Sequence, residues 1–281
     1  MIDKLKNMLG GKPMPDTVAL IGVPFDEYSS FMRGAAEAPP VIRQTLQNGA
    51  SNRFAENGVN LENHPRFRDL GDLALPGGDD GIAAIEKAAA WLTEKKCRIL
   101  ALGGDHAITY PVVKALTAVY GDLSILHLDA HPDLYDSYGG NRFSHACPFA
   151  RIMETGRVKK LVQVGIRGMN DEQRRQVDRF GVTCIEMKDI ARKDTLTLEG
   201  PVYLSLDLDV LDPAYAPGVS HHEPGGMSTR QVVALIQSVT GPIVGADIVE
   251  FNPLRDVNDM TAAVAAKMVK EIAGSMIARV R

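Results

Sequence analysis

The chain has 281 residues, 45% of them hydrophobic, enough for one large α/β unit or at most two and too apolar for disorder throughout. Its 31 basic and 35 acidic side chains give a net charge of −4 with no basic block, which argues against a nucleic-acid partner. No apolar run approaches the ~20 residues of a membrane span, and three dispersed cysteines, Cys97, Cys147 and Cys184, offer neither a disulfide framework nor zinc spacing.

Met1 to Pro15 is rich in Lys, Gly and Pro and lacks a signal-peptide core. It is expected to be a flexible extension of a soluble, cytoplasmic protein, the free thiols fitting a reducing compartment. Thr17 to Val23 reads as a first strand, followed by a loop carrying Asp26, Ser29, Ser30 and Arg33. Pro39 and Pro40 open a helix over about Val41 to Gln47, since proline suits a first helical turn. Ser51 to Pro65 is polar and irregular. Arg68 to Leu73 is a strand, and Asp80 is expected to cap a helix from Gly81 to Glu94. Arg98 to Leu102 is a strand ending in Gly103-Gly104-Asp105-His106, and a helix follows to about Tyr120. Ser124 to Asp129 is a strand, Ser144 to Gly156 a helix, Leu161 to Ile166 a strand, Asp171 to Phe180 a helix and Val182 to Ile185 a strand. Val202 to Leu206 is the next strand, running into Asp207-Leu208-Asp209. A long loop, Asp212 to Gly226, precedes a helix capped by Ser228. Ile243 to Val249 is the last strand, ending at Glu250, and a terminal helix runs from about Asn258 to Ala278. Strands alternating with helices predict an α/β fold, a mainly parallel sheet with helices on both faces. No repeat or linker divides the chain, so residues 1–281 are expected to form a single domain.

In such sheets function collects where strands end at their carboxyl edge. Asp129, His131 and Asp133 lie at i, i+2, i+4 in a segment that Pro132 keeps extended, so two carboxylates and an imidazole can face one spot. Crowded carboxylates repel one another unless a cation sits between them. Mixed oxygen and imidazole donors suit Mn, Fe, Ni, Co or Zn. His106, the pair Asp207/Asp209 and Glu250 occupy three further strand ends. Six candidate ligands, His106, Asp129, His131, Asp133, Asp207 and Asp209, exceed what one open metal site needs and suit two ions about 3.5–4 Å apart. A plausible division gives His106 and Asp133 to one ion and His131 and Asp209 to the other, with Asp129 and Asp207 bridging. Asp105 is a candidate for orienting a ligand from behind.

These motifs resemble those of the ureohydrolase family of arginases and agmatinases. The similarity rests on Gly103-Gly104-Asp105-His106, on His127-Leu128-Asp129-Ala130-His131-Pro132-Asp133 and on Ser205 to Pro213, and it extends over nearly the whole chain. It implies the arginase-type α/β fold, two Mn2+ per chain, and cleavage of a guanidino group to urea and an amine. It also implies a homo-oligomer, a trimer or hexamer. His145 matches the family's proton-shuttling histidine, and an imidazole titrating near neutrality suits protonation of a leaving amine. Glu250 matches the carboxylate that pairs with the substrate guanidinium, which two parallel hydrogen bonds would fix. The loops are most similar to plant-type arginases, but the Ser-Gly-Asn loop of animal-type enzymes is not recognisable. The arginine carboxylate would then fall to Asn141 or Arg142. His222 stands where the plant type is expected to be apolar, and His221-His222 are candidates for the pocket mouth. L-Arginine and agmatine rank nearly equal as substrates, with guanidinobutyrate behind. A single-zinc amide deacetylase and a non-catalytic relative are the alternatives.

Overall fold

The computed structural model describes residues 1–10, 15–192 and 198–279. Eight strands are present among them: β1 (Val18–Val23), β2 (Phe67–Asp72), β3 (Arg98–Gly103), β4 (Leu123–Leu128), β5 (Val158–Ile166), β6 (Thr183–Glu186), β7 (Val202–Asp207) and β8 (Ile243–Val249). They form one wholly parallel sheet in the order β2-β1-β3-β8-β7-β4-β5-β6. Every residue of β1, β3, β4, β7 and β8 is buried, as expected of parallel strands covered on both faces.

Alternate residues feed two cores. Leu20, Leu100 and Leu126 face one that includes Ile42 of α2 (Ala38–Gln47), Ile236 of α7 (Thr229–Ser238) and Ile272 of α8 (Met260–Ala278). Ile21, Ile99 and Ile125 face the other, with Ile85 of α3 (Gly78–Glu94), Leu116 of α4 (Thr109–Thr117) and Phe149 of α5 (Pro148–Glu154). The remaining helices are α1 (Ile2–Leu9) and α6 (Asp171–Phe180). The three-layer expectation therefore holds, and Ser228 caps α7 through a full capping box with Gln231.

Several boundaries differ for physical reasons. The N-terminal stretch contains α1, whose Leu5 and Leu9 are buried, while residues 11–14 of the expected extension lie outside the described residues. Helix α3 starts at Gly78, so Asp80 sits in its first turn, favourable for the helix dipole, and does not cap it. Residues 144–147 are not helical: Pro148 disfavours helical backbone before it. His145 N–H and Ser144 Oγ instead donate to the Tyr28 carbonyl at 3.2 and 3.4 Å. Helix α8 starts two residues late because Asn258 and Asp259 adopt left-handed backbone, φ 51° and 57°.

Candidate metal centre

The chain returns late to the middle of its own sheet. β7 and β8 insert between β3 and β4, so the three strands that lead to candidate ligands and the one that leads to Glu250 are contiguous: β3, β8, β7, β4. Beside the residues that follow β4 lies a cavity of about 180 Å³, lined by His131, Asp133, His145, Ser30 and His221 among others.

All six predicted ligands converge on one another at the strand ends, and His131 and Asp133 reach the cavity wall. His106 Nδ1 lies 3.3 Å from Asp129 Oδ2, 3.0 Å from Asp133 Oδ2 and 3.3 Å from Asp207 Oδ2. His131 Nδ1 lies 3.0 Å from Asp209 Oδ2 and 3.5 Å from Asp129 Oδ1. Asp129 thus faces both imidazoles with different oxygens. Asp133 reaches the cluster through a left-handed backbone, φ 49°, the kind of strain that persists where the surroundings fix it.

The donors behind the ligands show what the cluster lacks. His106 Nε2 is 2.9 Å from Ser205 Oγ, and that hydroxyl donates to Asp247 Oδ1 at 2.7 Å. Asp247 Oδ2 accepts from Tyr203 Oη at 2.6 Å and from Thr109 Oγ1 at 2.7 Å. A hydroxyl whose proton goes to a carboxylate must accept from the imidazole. The proton of a neutral His106 therefore sits on Nε2, and its Nδ1 lone pair points at three carboxylates. That buried Nδ1 has no hydrogen-bond partner among the described residues. Burial opposes a charge on His106, but Asp129, Asp133 and Asp207 outweigh it and raise its pKa well above the ordinary value. Burial, then the charges of Asp209 and Asp129, push Asp207 the other way for a carboxylate, well above its ordinary value. Both directions express one deficit: the cluster needs positive charge between Nδ1 and the carboxylates. Imidazole and carboxylate donors that close together fit divalent cations.

Two groups set the ligands from behind. His127 Nε2 is 2.7 Å from Asp129 Oδ2, and Gln163 Nε2 donates to its Nδ1 at 3.0 Å, so His127 gives its proton to Asp129. Although His127 is close enough to be a ligand itself, that tautomer makes it an orienting group. Asp105 does not touch the His106 ring. Its Oδ1 caps the turn that starts at His106, accepting from Ala107 N–H at 3.1 Å. Its Oδ2 accepts from Tyr28 N–H and Ser29 Oγ at 3.1 and 3.2 Å, holding the 28–30 loop against the site. Burial, and then Glu250, raise Asp105 to about 7.

Glu250 and His145 sit beside the cluster as a pair. His145 Nδ1 donates to Glu250 Oε1 at 2.7 Å, and His106 N–H donates to the same oxygen at 2.9 Å. Among the described residues Glu250 Oε2 accepts no hydrogen bond. Glu250 also carries left-handed backbone, φ 64°. At Nε2, His145 accepts from Ser30 N–H at 3.0 Å and meets Ser30 Oγ at 2.7 Å. Burial opposes its charge, but Glu250 and then Asp105 outweigh that and raise His145 to about 9. Glu250 is lowered in turn, burial being overcome by His145. The Ser30 amide favours a neutral ring and the carboxylates a charged one. Ser30 Oγ reconciles them, because it can accept the Nε2 proton when the ring is charged.

The predicted tail-binding residues behave differently. Asn141 lines an adjoining depression that shares Ser30 and Tyr138 with the cavity, and its Oδ1 accepts from Phe143 N–H at 2.8 Å. Arg142 is engaged elsewhere, with Asp136 at 2.9 Å and Glu154 at 3.1 Å, and does not enter the cavity. Of the histidine pair, His221 lines the cavity, its ring 5.4 Å from His145 and 6.1 Å from His131. His222 turns outward to the Pro217 carbonyl at 2.7 Å. Sequence reading missed Ser205, Asp247, His127 and Ser30. The first three carried a signal: His127 and Ser205 each precede an aspartate ligand by two residues on the same strand face, and Asp247 is an acid inside an otherwise apolar strand.

The Arginase family model matches residues 16–274. The chain belongs to the arginase family. Arginase 1, mitochondrial, of Arabidopsis thaliana is 45% identical over 291 residues, covering 97% of this chain and 84% of that protein. An agmatinase of Bacillus anthracis is 33% identical over 267 residues, covering 91% and 90%. The solved structure of arginase from Medicago truncatula matches with a TM-score of 0.90 at 42% identity, covering 98% of this chain and 92% of that one. As an arginase-family member the chain is a metal-dependent ureohydrolase, a hydrolase of guanidino groups. The single-zinc deacetylase alternative falls away. The expected cytoplasmic location is corrected as well: the Arabidopsis relative is named mitochondrial, and further plant arginases of similar identity are named mitochondrial or chloroplastic. These names point to an organelle. Cysteine usage could not separate the two, since free thiols fit any reducing compartment.

Proposed function

We propose that the chain is an arginase, hydrolysing the guanidino group of L-arginine to urea and ornithine at two manganese ions, with agmatine the second-ranked substrate. Arginine is favoured because the similarity to plant arginases, 45% over 97% of the chain, exceeds that to the agmatinase, 33% over 91%. The observation that carries the two-metal reading is the placement of Asp129 between two imidazoles, His106 with Asp133 and Asp207 beside it and His131 with Asp209. His106, Asp133 and Asp207 would hold one ion, His131 and Asp209 the other, and Asp129 both. Bound there, a cation pair supplies the positive charge that lets water lose a proton near neutral pH.

The chain's own groups would do the rest. Glu250 Oε2 takes a guanidinium N–H and fixes the planar group over the cluster, an orientation worth far more than the bond itself. His145, held by Glu250 and Ser30, moves a proton between the Nε2–Ser30 Oγ contact and the departing amine. Asn141, at the edge of the adjoining depression, is the group proposed to meet the amino-acid end of the substrate. The whole chain acts as one catalytic domain on the single sheet, assembled into a homo-oligomer, a trimer or hexamer.

The test is urea release from arginine, agmatine and guanidinobutyrate by protein stripped of metal and reloaded with manganese. Arginine is expected to give the highest kcat/KM. Faster agmatine turnover would overturn the substrate assignment, and full activity with one ion per chain would overturn the two-metal reading.

A further inference from the structure

Arg167 follows β5 and is neither a candidate ligand nor part of the cavity wall. Yet it touches both halves of the cluster. Its main-chain N–H donates to the Ala130 carbonyl at 2.8 Å, between Asp129 and His131. Its guanidinium donates to a ring of backbone carbonyls: Asp209 at 2.7 Å, Val210 at 3.3 Å, Leu211 at 3.3 Å and Glu223 at 2.8 Å. Only a fork of rigid donors can serve so many acceptors at once. The room for it is prepared: a Cβ on Gly226 would stand 2.6 Å from Arg167 Nη2. The adjacent Gly168 makes room for His131, since a Cβ there would come within 2.7 Å of the ring. Across the same gap Ala130 N–H donates to Asp209 Oδ1 at 3.1 Å. The end of β4, the turn after β7 and the loop that carries His221 thus meet at one residue, the first through its main-chain N–H and the other two through its guanidinium.

We propose that Arg167 is a positioning residue that fixes the spacing between His131 and Asp209, and so sets the affinity of the second metal seat without touching the metal. This rests on the two-metal reading above. Arg98 offers an internal comparison: it also clasps carbonyls, of Ile243, Met276 and Arg279, but it is fully buried and lies at the opposite end of the sheet.

The experiment is calorimetric titration of the metal-free full chain with manganese chloride, alongside thermal melting of the metal-free protein. Arg167→Met is expected to weaken one of the two sites by about 10- to 100-fold, the range for groups that orient ligands, and to leave the other within about twofold. Arg167→Lys, which keeps the charge without the fork, is expected to weaken the same site, and it carries the test alone if Arg167→Met does not fold. In a His131→Ala background, which removes that seat, Arg167→Met is expected to change nothing further at the remaining one. Arg98→Met is expected to lower the melting temperature with both affinities kept. Equal weakening of both sites, wild-type affinities in the Arg167 variants, or the same split in Arg98→Met would each overturn the inference. A wild-type chain that takes up fewer than two ions would overturn the two-metal reading and this inference with it.

Discussion

The two ends of the sheet treat buried charge in opposite ways. At the amino end, Arg98 is fully buried but Asp16 pairs with its Nε at 3.0 Å and three carbonyls accept from its Nη1, tying β8 and the end of α8 together. At the carboxyl end, four buried aspartates face two imidazoles, and two residues, Asp133 and Glu250, adopt strained backbone. A buried charge whose counter-charge is present closes a fold, even with the Arg98 Nη2 left unpaired among the described residues. A cluster of like charges without one costs stability until something positive arrives. One end holds the sheet, and the other is held by it in a state that only a cation relieves.

Removing Asp129, the carboxylate proposed to be shared, should break that contrast most completely. Asp129→Asn is expected to abolish metal binding and urea release together, well beyond the ~10- to 100-fold loss typical of residues that merely orient a ligand. Metal analysis on the purified variant checks this. Asp207→Asn, at the carboxyl that burial and the charges of Asp209 and Asp129 hold well above its ordinary value, should leave a metal-free form that melts no lower than the metal-free wild type, because one repelling charge is gone. A lower melting point would mean that the cluster stabilises the fold and that the two ends do not differ as described.

His145→Asn separates chemistry from metal holding. It should keep the wild-type metal content and lose about 10²- to 10⁴-fold in kcat, the usual worth of a positioned acid or base. Loss of metal would defeat the assignment. The same variant has a pH signature. His145 is raised from the ordinary 6.5 to about 9 in the folded chain, so its stabilising pairing with Glu250 is fully present below about 6.5 and disappears as pH rises through about 9. Metal-free wild type should lose melting temperature across that window relative to His145→Asn, and parallel curves would show that the pair does not titrate there.

Arg98→Met probes the other end. It leaves the Asp16 carboxylate and three carbonyls without their donor, at a cost of about 3 kcal/mol. Chemical denaturation should show that loss, while kcat per folded molecule stays unchanged. A fall in kcat would mean that the amino end reaches the site.

The contrast also explains what the sequence disclosed. The strands are legible because burial on both faces leaves unbroken apolar runs such as Ile99 to Leu102 and Val202 to Leu204. The six candidate ligands are legible because they follow apolar strands at their carboxyl ends, not through strand alternation. β4 stops at Leu128, Asp133 has left-handed backbone, and His106 and Asp209 lie in 3-10 turns, so the expected extended run from Asp129 to Asp133 is not what brings them together. What stays hidden is set by loops meeting loops. Ser30 reaches His145 across 115 positions, and Arg167 reaches Glu223 across 56. Nothing local marks either pairing. Arg142 looked like a substrate group because the sequence does not show that Asp136 and Glu154 engage its guanidinium in the fold. The helix proposed at Ser144 failed for the same reason: the 28–30 loop takes hydrogen bonds that a helix would have needed internally.

A third polar cluster tests whether density of charge or its burial makes the difference. Glu56 accepts from both Nη atoms of Arg230 at 2.7 and 2.8 Å and pairs with Lys267 at 3.0 Å, as crowded as anything at the metal centre. Arg230, then Lys267 and Gln237, hold its carboxyl far below the ordinary 4.5. A lowered folded value means stabilisation present above about 4.5 and lost as pH falls through the acid range. About a third of the Glu56 side chain is exposed, 34%, so water and salt screen the network. Glu56→Gln should therefore cost well under about 1 kcal/mol, the usual limit for exposed pairs, and that small cost should shrink further in high salt. Denaturation at low and high ionic strength measures both. A loss as large as that of Arg98→Met would show that the number of charged contacts governs stability here, and the contrast between the two ends of the sheet would then owe nothing to burial.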